Sequence, residues 1–431
     1  MIGLSPALGS ESAPKPLDPQ HSLLFSPLVI NGVRLANRVT VPAMVTWLSP
    51  DGTVTEDIRR RYLRYAEGEP GMIVLEATGV HEIKSGPLLR ISNDSYIPGL
   101  RSLVQQMHDT SPSKVVLQII HFLRIARRDP EGYLSRLGRE DLIGQPDAVV
   151  QQHLTARQFE DYFYGYRQRV EDLTREEIRQ IPLLFAQAAW RARLAGFDGV
   201  ELHMAHAYTL ASFLSKLSNK RTDEYGADRL LLPLEVIRAV RAEVGTDYLV
   251  GVRFLGDEAI AGGNTLEETR LIALALARSG VDYLSISRGG KFEDAKQPKI
   301  GEAAYPYTGS SGEVCMPNHK LPPAANIHLA AGIKEAINRA GYFLPVVGSG
   351  KINSSELAES ILREGKADLI GIARGHLCDP DWTKKMREGR SADLRQCDYK
   401  SVCELLYDQR HYKVVCKLWG GFRFGGRVHP P

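Results

Sequence analysis

Eight apolar runs of strand length recur along the chain, and helical patterns lie between most of them. The runs are Val39 to Pro42, Gly71 to Glu76, Lys114 to Ile120, Gly199 to His203, Tyr248 to Phe254, Tyr283 to Ser287, Leu344 to Gly348 and Leu369 to Ala373. Alternating buried strands and helices are typical of βα units around a parallel sheet. No GxGxxG turn follows the first run, so eight units favour a closed barrel over a Rossmann sheet. The sequence therefore predicts an α/β fold, a (β/α)8 TIM barrel.

The helical segments begin and end at residues that favour helix termini. The segment Ile178 to Leu194 follows Thr174 and Glu177, which fit a capping box in which each side chain bonds the other's backbone N–H. It ends before Gly196, as a C-terminal glycine predicts. The same signals flank the segment Leu266 to Arg278. These patterns support the assignment of helices between the strands.

Interruptions in the alternation of strands and helices divide the chain into parts. We assign residues 23–390 to the barrel, residues 1–22 to a flexible N-terminal arm and residues 391–431 to a C-terminal extension. Residues 124–173, after strand three, are polar and too long for a connection, so they form an insertion and a candidate lid. Residues 288–325, rich in Gly, Pro and Tyr, form a long loop after strand six on the catalytic face.

Composition excludes several classes of function. The net charge of +3 comes from interspersed Lys and Arg rather than a basic block, which argues against a nucleic-acid partner. Five cysteines are few and odd in number, so a secreted disulfide framework is not expected. No signal peptide and no apolar run long enough to span a membrane is present. We therefore expect a cytoplasmic protein without a membrane partner.

The stretch around residue 203 carries the candidate chemistry. A buried strand runs directly into His203, His206 and Tyr208, at the strand end that forms the catalytic face of a barrel. Two imidazoles and a phenol can stabilise negative charge that develops on a carbonyl oxygen, at roughly 3–4 kcal/mol per donor. Two alternatives are core histidines bonded to backbone carbonyls, and a metal-dependent hydrolase or lyase in which His121 joins the pair.

Several separated segments match one family in the same order. They are LFSPLVINGVRLANRVTVPAM near the start, GVELHMAHAY followed by FLSKLSNKRTDEYG, GVRF at Gly251 to Phe254, VGSG at Val347 to Gly350, and ADLIGIARGHLCDPDW at Ala367 to Trp382. With these segments the chain resembles the old yellow enzyme family of FMN-dependent oxidoreductases. It is more similar to the dienoyl reductase and NADH:flavin oxidoreductase branches than to the yeast founder.

The resemblance implies an ene-reductase that uses NADH or NADPH to reduce an activated C=C bond. His203 and His206 would hold the electron-withdrawing oxygen of a small unsaturated substrate, and Tyr208 would donate the proton. A phenol has an ordinary pKa near 10, so it is protonated at neutral pH. A flavin-dependent dehydrogenase or demethylase on the same fold is the alternative. The sequence leaves a homo-oligomeric state open.

The resemblance also implies a set of flavin contacts. They are Pro42, Ala43 and Met44 along the ring, Gln118 at its pyrimidine edge, Arg253 beside N1 and O2, and Gly348, Ser349, Gly350, Ala373 and Arg374 around the phosphate. An arginine within an apolar run is costly to bury without a partner, which favours a functional role for Arg253. Glycines let the backbone approach phosphate closely, and the loops after strands seven and eight often bind phosphate in such barrels.

The chain departs from the family in ways that affect redox chemistry. Val45 stands where members usually carry a Thr or Cys that touches the flavin. Dienoyl reductase relatives bind a 4Fe-4S cluster through four cysteines, whereas here Lys400 occupies the second ligand position between Cys397 and Cys403, with Cys416 thirteen residues later. Three thiolates at this spacing predict no 4Fe-4S cluster and no other resident metal. Electrons are then expected from NAD(P)H bound directly over the flavin.

Overall fold

A closed barrel of eight parallel strands forms the centre of the molecule. The computed structural model describes residues 22–82, 87–122, 130–164, 169–290, 309–400, 403, 414–419, 422–424 and 427–429. The barrel strands are β3 (Val39–Val41), β4 (Met72–Gly79), β5 (Lys114–Ile120), β6 (Gly199–Met204), β7 (Leu249–Leu255), β8 (Tyr283–Ser287), β9 (Val346–Ser349) and β10 (Leu369–Gly371). Each strand pairs with its neighbours in sequence, and β10 pairs with β3 to close the barrel. The predicted TIM barrel is confirmed, and every predicted run overlaps one barrel strand.

Two short hairpins lie outside the barrel. One consists of β1 (Leu28–Ile30) and β2 (Val33–Leu35), and the other of β11 (Phe422–Phe424) and β12 (Arg427–His429). Both pair in antiparallel register.

Helices cover the barrel and fill its connections. They are α1 (Glu56–Glu67), α2 (Ile97–Thr110), α3 (Pro130–Arg136), α4 (Asp147–His153), α5 (Ala156–Tyr164), α6 (Arg175–Leu194), α7 (Thr209–Leu214), α8 (Glu224–Ala227), α9 (Leu231–Val244), α10 (Leu266–Arg278), α11 (Gly309–Cys315), α12 (Ile327–Arg339), α13 (Ser355–Arg363), α14 (Ala373–Cys378) and α15 (Trp382–Arg387). The largest buried apolar cluster joins the outward side chains of the strands to the inner faces of these helices, for example Val250 with Ile237 and Phe185. Burial of this layer is the main source of stability.

The predicted capping boxes are present. The Thr174 hydroxyl accepts a hydrogen bond from the Glu177 N–H at 3.2 Å, and the Glu177 carboxylate accepts one from the Thr174 N–H at 2.7 Å. The same reciprocal pair joins Thr265 and Glu268 at the start of α10. Because the cap is at Thr174, α6 begins at Arg175 rather than at the first apolar residue, Ile178.

Polar side chains fill the barrel interior next to the catalytic face. The Glu201 carboxylate is buried and accepts hydrogen bonds from Gln118 Nε2 at 2.7 Å and from the Tyr283 hydroxyl at 3.0 Å. Tyr283 can cross the barrel because Gly251 has no side chain: a Cβ there would lie 2.1 Å from the Tyr283 ring. On the neighbouring strand, the register places Arg253 beside His203. Hydrogen bonds therefore fix Glu201, Gln118 and Tyr283 in the barrel interior.

The chain outside the barrel differs in detail from the expected boundaries. Ser22, predicted as the end of a flexible arm, is buried, and its hydroxyl donates to Glu359 at 2.7 Å. This bond makes Ser22 part of the packed structure; residues 1–21 lie outside the described residues. The C-terminal extension returns to the barrel, where the Val414 N–H donates to the Thr46 carbonyl at 3.0 Å.

The insertion after strand three contains helices with a small apolar cluster of their own. Tyr133, Val150 and Tyr162 belong to this cluster, which draws on α3, α4 and α5. The third of these helices, α5, begins at Ala156 and is described to Tyr164. Residues 123–129 and 165–168 lie outside the described residues, and the role of the insertion as a lid stays a prediction. Among the helices that the structure describes, none has the length and apolarity to cross a bilayer.

The cap of α6 gives a test of this local analysis. Replacing Thr174 with Ala should lower the free energy of unfolding by about 1 kcal/mol, because one orphan N–H at the helix start loses its acceptor. Thr174→Ser keeps the hydroxyl and should stay close to wild type. Denaturant titration followed by far-UV circular dichroism measures both, and equal midpoints for the two variants would contradict the capping role.

Candidate active site

A cleft opens at the carboxyl ends of the barrel strands. Its empty space is about 1280 Å³, including the open mouth. The predicted positions that line it are Pro42, Ala43, Met44, Gln118, His203, His206, Tyr208, Arg253, Ser349, Gly350, Ala373 and Arg374. Residues far apart in sequence are thus brought to one cavity, while their individual roles stay predictions.

Gly348 is the predicted position that does not belong to this lining. A Cβ on Gly348 would lie 2.9 Å from Ile327 and 3.0 Å from Ala367, so this side of the glycine faces the helix layer. The geometry favours close packing of β9 against α12 as the reason for a glycine here. The adjacent Ser349 and Gly350 line the cleft instead.

A strained turn presents the two histidines. His203 lies in β6, whereas His206 and Ala207 follow it in the left-handed region, with φ of 58° and 60°. L-residues with side chains adopt this conformation at a cost of about 1–3 kcal/mol, and such strain is common at functional sites. The turn packs directly against Gly290, where a Cβ would lie 2.5 Å from the His206 Cα. Glycine at this position allows the turn to fold into the cleft.

Hydrogen bonds link the imidazoles in a chain. His203 Nδ1 accepts from the Ala205 N–H at 3.1 Å, which assigns the ring proton of His203 to Nε2. His203 Nε2 lies 3.3 Å from His206 Nδ1, and His206 Nε2 lies 2.7 Å from the Ser287 hydroxyl. The histidines are therefore oriented by the backbone and by each other.

Tyr208 completes the group on the same turn. Its ring packs edge-on against His203, with ring centroids 5.1 Å apart, and against Phe122 at 5.5 Å. It is 7% exposed and lines the cleft. Met204 packs in the barrel core, and Ala207 lies in a separate small cluster. Neither of them belongs to the lining of the cleft.

His121 does not join the pair as a metal ligand. Its Nδ1 lies 2.8 Å from the Thr209 hydroxyl, and its ring packs edge-on against His81. Within the described part of the chain, no group of three or more His, Cys, Asp or Glu side chains is arranged to hold a metal ion. The geometry gives no support to a metal-dependent hydrolase or lyase.

The barrel interior offers polar groups to the floor of the cleft. Because Glu201 holds the Nε2 of Gln118, that amide is fixed in one orientation. Burial raises the pKa of Glu201, and the positive charge of Arg253 opposes this shift. The Arg253 Nε is buried and has no hydrogen-bond partner among the described residues. An unpaired buried donor is costly, so the site fits a ligand that supplies an acceptor here, such as a flavin carbonyl.

The far end of the cleft suits a phosphate. Gly350 has φ of 120° and Lys351 has φ of 58°, so the backbone has positive φ at two consecutive residues after β9. Two cations line this end, Lys351 and Arg374. Both lie against the ring of Tyr399, at 5.3 and 4.9 Å from its centroid. With Arg253 at the opposite end, the residues fit a flavin mononucleotide.

A buried carboxyl group lies behind the ring end of the cleft. Glu76 Oε2 accepts from the Thr46 N–H at 2.9 Å, and Thr46 follows Val45, which lines the cleft. Glu76 is fully buried, and its Oε1 has no partner among the described residues. Burial raises the pKa of Glu76 to about 7, although the bond from Thr46 opposes the shift. This group titrates near neutral pH next to the chain segment predicted to pass along the flavin.

Several lining residues were missed in the sequence. Ser287 ends a predicted strand, and the rule that strand ends form the catalytic face would have identified it. Lys351 directly follows the predicted phosphate segment. Arg61 from α1, and Tyr399 and Val414 from the C-terminal extension, had no such signal, because their positions depend on packing between distant segments.

The cysteines of the C-terminal extension lie together, but they do not form a cluster site. Cys378, Cys403 and Cys416 share one buried cluster, with Cys397 packed against it. Lys400 occupies the remaining position of the family's ligand pattern. In the described residues these thiols are not arranged as metal ligands. The donor set does not fit the four-thiolate cluster of the relatives, and no step of the chemistry is assigned to one.

The barrel and its cleft define an oxidoreductase of the flavin-binding TIM-barrel class. The sequence pattern of the NADH:flavin oxidoreductase / NADH oxidase family matches residues 23–393. The chain therefore belongs to this family, which confirms the resemblance to the old yellow enzymes and identifies FMN as the cofactor and NAD(P)H as the electron donor of the class.

Individual relatives differ in length and in name. The chain is 34% identical over 380 residues to a metal reductase of Desulforamulus reducens, which covers 87% of this chain and 50% of that protein. It is 30% identical over 370 residues to an NADPH dehydrogenase of Listeria welshimeri, covering 84% and 94%. The chain spans about half the length of several curated relatives it matches.

Solved structures share the fold. A 2-naphthoyl-CoA reductase superposes with a TM-score of 0.72 at 23% identity, covering 92% of this chain and 56% of that one. Morphinone reductase superposes with a TM-score of 0.61 at 24% identity, covering 85% and 90%. At this level of identity the similarity extends to the barrel architecture.

The buried Glu76 carboxyl predicts a pH-dependent stability. Above pH 4.5, its ordinary value, the unfolded chain loses this proton, but the folded chain keeps it up to about pH 7. The stability that this group contributes is therefore lost as pH rises through that window, by on the order of 3 kcal/mol. Denaturant unfolding at pH 4.5 and 8 should show this loss in wild type and not in Glu76→Gln. The exposed Glu56→Gln should behave as wild type, and parallel curves for all three proteins would contradict the assignment.

The Arg253 Nε, which has no hydrogen-bond partner among the described residues, predicts a contribution to cofactor affinity. Arg253→Met removes a charge-assisted donor worth about 1.5–3 kcal/mol, so FMN should bind roughly 10- to 100-fold more weakly. Titration of apoprotein with FMN, followed by flavin fluorescence, gives the dissociation constant. The exposed Arg238→Met serves as a control for a change of net charge. An unchanged dissociation constant for Arg253→Met would refute the contact.

Proposed function

We propose that this protein is an FMN-dependent ene-reductase that reduces the activated C=C bond of an α,β-unsaturated carbonyl or acyl compound with electrons from NADH or NADPH. The observation that supports it most is the joint placement of His203, His206 and Tyr208 on one turn of the cleft, beside Arg253 on the next strand. This arrangement combines donors for an oxygen, a source of a proton and a fixed cation in a single cavity.

The histidines bind the substrate oxygen. The Nε2 of His203 lies 3.3 Å from His206 Nδ1. When substrate binds, the His203 Nε2–H would donate to the carbonyl oxygen instead of to His206. After rotation of its ring, His206 would donate its Nε2–H to the substrate oxygen instead of bonding Ser287. Donors fixed in a dry site stabilise negative charge on an oxygen without further reorganisation, and this polarises the adjacent double bond.

Tyr208 supplies the proton. Tyr208 lies two residues after His206, and its ring packs edge-on against His203. The phenol would therefore lie close to a substrate whose oxygen is bound by the two histidines. A positioned acid of this kind typically contributes about 10²- to 10⁴-fold to a rate. The contact with Phe122 keeps the ring in this orientation.

The remaining lining residues hold the cofactor. When bound, FMN supplies hydride transfer from NAD(P)H to the substrate carbon. Gln118 and Arg253 would meet its ring, and Ser349, Gly350 and Arg374 its phosphate. Val45 lines the same cleft, and its alkyl side chain offers the ring no hydrogen bond or thiol.

A second candidate is oxidation of a C–N bond on the same scaffold. It is favoured by two relatives, an N,N-dimethylglycine/sarcosine dehydrogenase of Chromohalobacter salexigens at 29% identity and a probable N-methylproline demethylase of Rhizobium meliloti at 27%. Anaerobic photometry separates the two reactions. Reoxidation of the reduced holoenzyme by an enone supports ene reduction, whereas bleaching of the oxidised holoenzyme by an N-methyl amine supports the dehydrogenase.

Replacement of the proposed acid tests the mechanism. Tyr208→Phe should slow enone reduction by about 10²-fold or more while the reduction of the flavin by NAD(P)H stays near the wild-type rate. Stopped-flow measurement of the two half-reactions gives both rates. Tyr342→Phe, a tyrosine outside the cleft, should leave both unchanged. Equal losses in both half-reactions of Tyr208→Phe would show that the phenol is not the proton donor.

A further inference from the structure

Tyr399 brings an aromatic side chain from the C-terminal extension to the phosphate end of the cleft. It is 7% exposed and lines the cleft together with Gly350 and Arg374. Its hydroxyl forms no hydrogen bond within the described part of the chain. A tyrosine that is largely removed from water usually finds a partner for its hydroxyl. Tyr399 therefore fits a ligand that accepts a hydrogen bond from it.

The backbone at Tyr399 is strained. Its φ of 54° lies in the left-handed region, which residues with a side chain rarely adopt. The turn is held by Asp398, whose carboxylate accepts from the Lys400 N–H at 3.2 Å and pairs with Lys417. Strain of this kind persists where surrounding contacts enforce it, and it is common at ligand sites. The turn thus holds the Tyr399 side chain against the cleft.

Two cations lie against the Tyr399 ring. The guanidinium carbon of Arg374 is 4.9 Å from the ring centroid, and the Lys351 Nζ is 5.3 Å from it. Cations are attracted to the face of an aromatic ring, so both contacts stabilise the position of the ring. Both cations also bond carbonyls of the segment between α11 and α12, Arg374 that of Pro317 at 2.6 Å and Lys351 that of His319 at 3.3 Å. The phenol therefore lies in a region of positive charge, which suits an anion.

We propose that Tyr399 is a cofactor-binding residue whose hydroxyl donates a hydrogen bond to the phosphate of FMN. Through this contact the C-terminal extension helps the protein to select FMN over riboflavin. The proposal rests on the FMN site of the family, and it is independent of the substrate that the enzyme reduces.

The chemistry of the phenol suits a phosphate acceptor. Burial raises the pKa of Tyr399 to about 12, with the charge of Arg374 opposing the shift. The phenol therefore keeps its proton at neutral pH and can donate it to a hydrogen bond. A phosphate monoester is largely dianionic at this pH, and hydrogen bonds to charged acceptors are roughly twice as strong as those between neutral groups. Riboflavin lacks the phosphate, so its binding gains no such bond.

Flavin binding to the full-length chain tests the proposal. Wild-type protein freed of its flavin is titrated with FMN and with riboflavin, and flavin fluorescence gives both dissociation constants. Wild type should bind FMN more tightly than riboflavin. Tyr399→Phe keeps the ring and loses only the hydroxyl, so it should weaken FMN binding roughly 10-fold or more and leave riboflavin binding unchanged. Tyr342→Phe, outside the cleft, is the matched control and should behave as wild type.

A second variant guards against a folding defect. Tyr399→Gly removes the whole side chain at a position whose φ suits glycine, and it should also weaken FMN binding relative to riboflavin binding. Far-UV circular dichroism confirms folding of each variant. An unchanged FMN constant for Tyr399→Phe, or equal weakening of FMN and riboflavin, would overturn the proposal. These constants are measured without substrate, so a failure to reduce enones would refute the proposed function and leave this result intact.

Discussion

Closure of the barrel is the constraint on which the rest of the structure depends. A parallel sheet leaves all carboxyl strand ends at one rim, and pairing of β10 with β3 turns that rim into a ring. Register then decides which side chains meet: His203 lies beside Arg253, and Gln118 lies beside Glu201. The buried Glu201 is tolerated because two donors satisfy it, Gln118 from the neighbouring β5 and Tyr283 from β8 across the barrel. The cleft is therefore a product of strand pairing more than of loop conformation.

The same constraint explains which parts were predictable from the sequence. Strands buried on both faces read as continuous apolar runs, and the capping boxes state where helices begin, so the barrel and the strand-end residues follow from local pattern. Gly348 shows the limit of this reasoning. Alternate residues of a strand face opposite sides, so Gly348 faces the helices while its neighbour Ser349 faces the cleft. A one-residue choice of this kind depends on the tertiary register.

The C-terminal extension was the least predictable part of the site. Tyr399 reaches the cleft between Lys351 and Arg374, and Val414 reaches it through a backbone bond to Thr46. These contacts join segments separated by tens to hundreds of residues, and no local periodicity encodes them. The iron-ligand pattern of the family covers Cys397, Cys403 and Cys416, whereas in the structure Cys378, a residue outside that pattern, belongs to the same buried cluster.

The bond between the two histidines bears on what the cleft selects. The contact between His203 Nε2 and His206 Nδ1 is 3.3 Å, which is long for a hydrogen bond. Little free energy is therefore lost when a substrate oxygen replaces His206 as the acceptor. A ground-state carbonyl is a modest acceptor, but the oxygen gains negative charge as hydride reaches the β-carbon. The donors of the pair then bind the transition state more strongly than the substrate, which is the condition for faster chemistry rather than tighter binding. An amine substrate develops positive charge at nitrogen instead and would gain nothing from these donors. This difference in developing charge is the reason why we propose reduction of a polarised alkene rather than oxidation of a C–N bond.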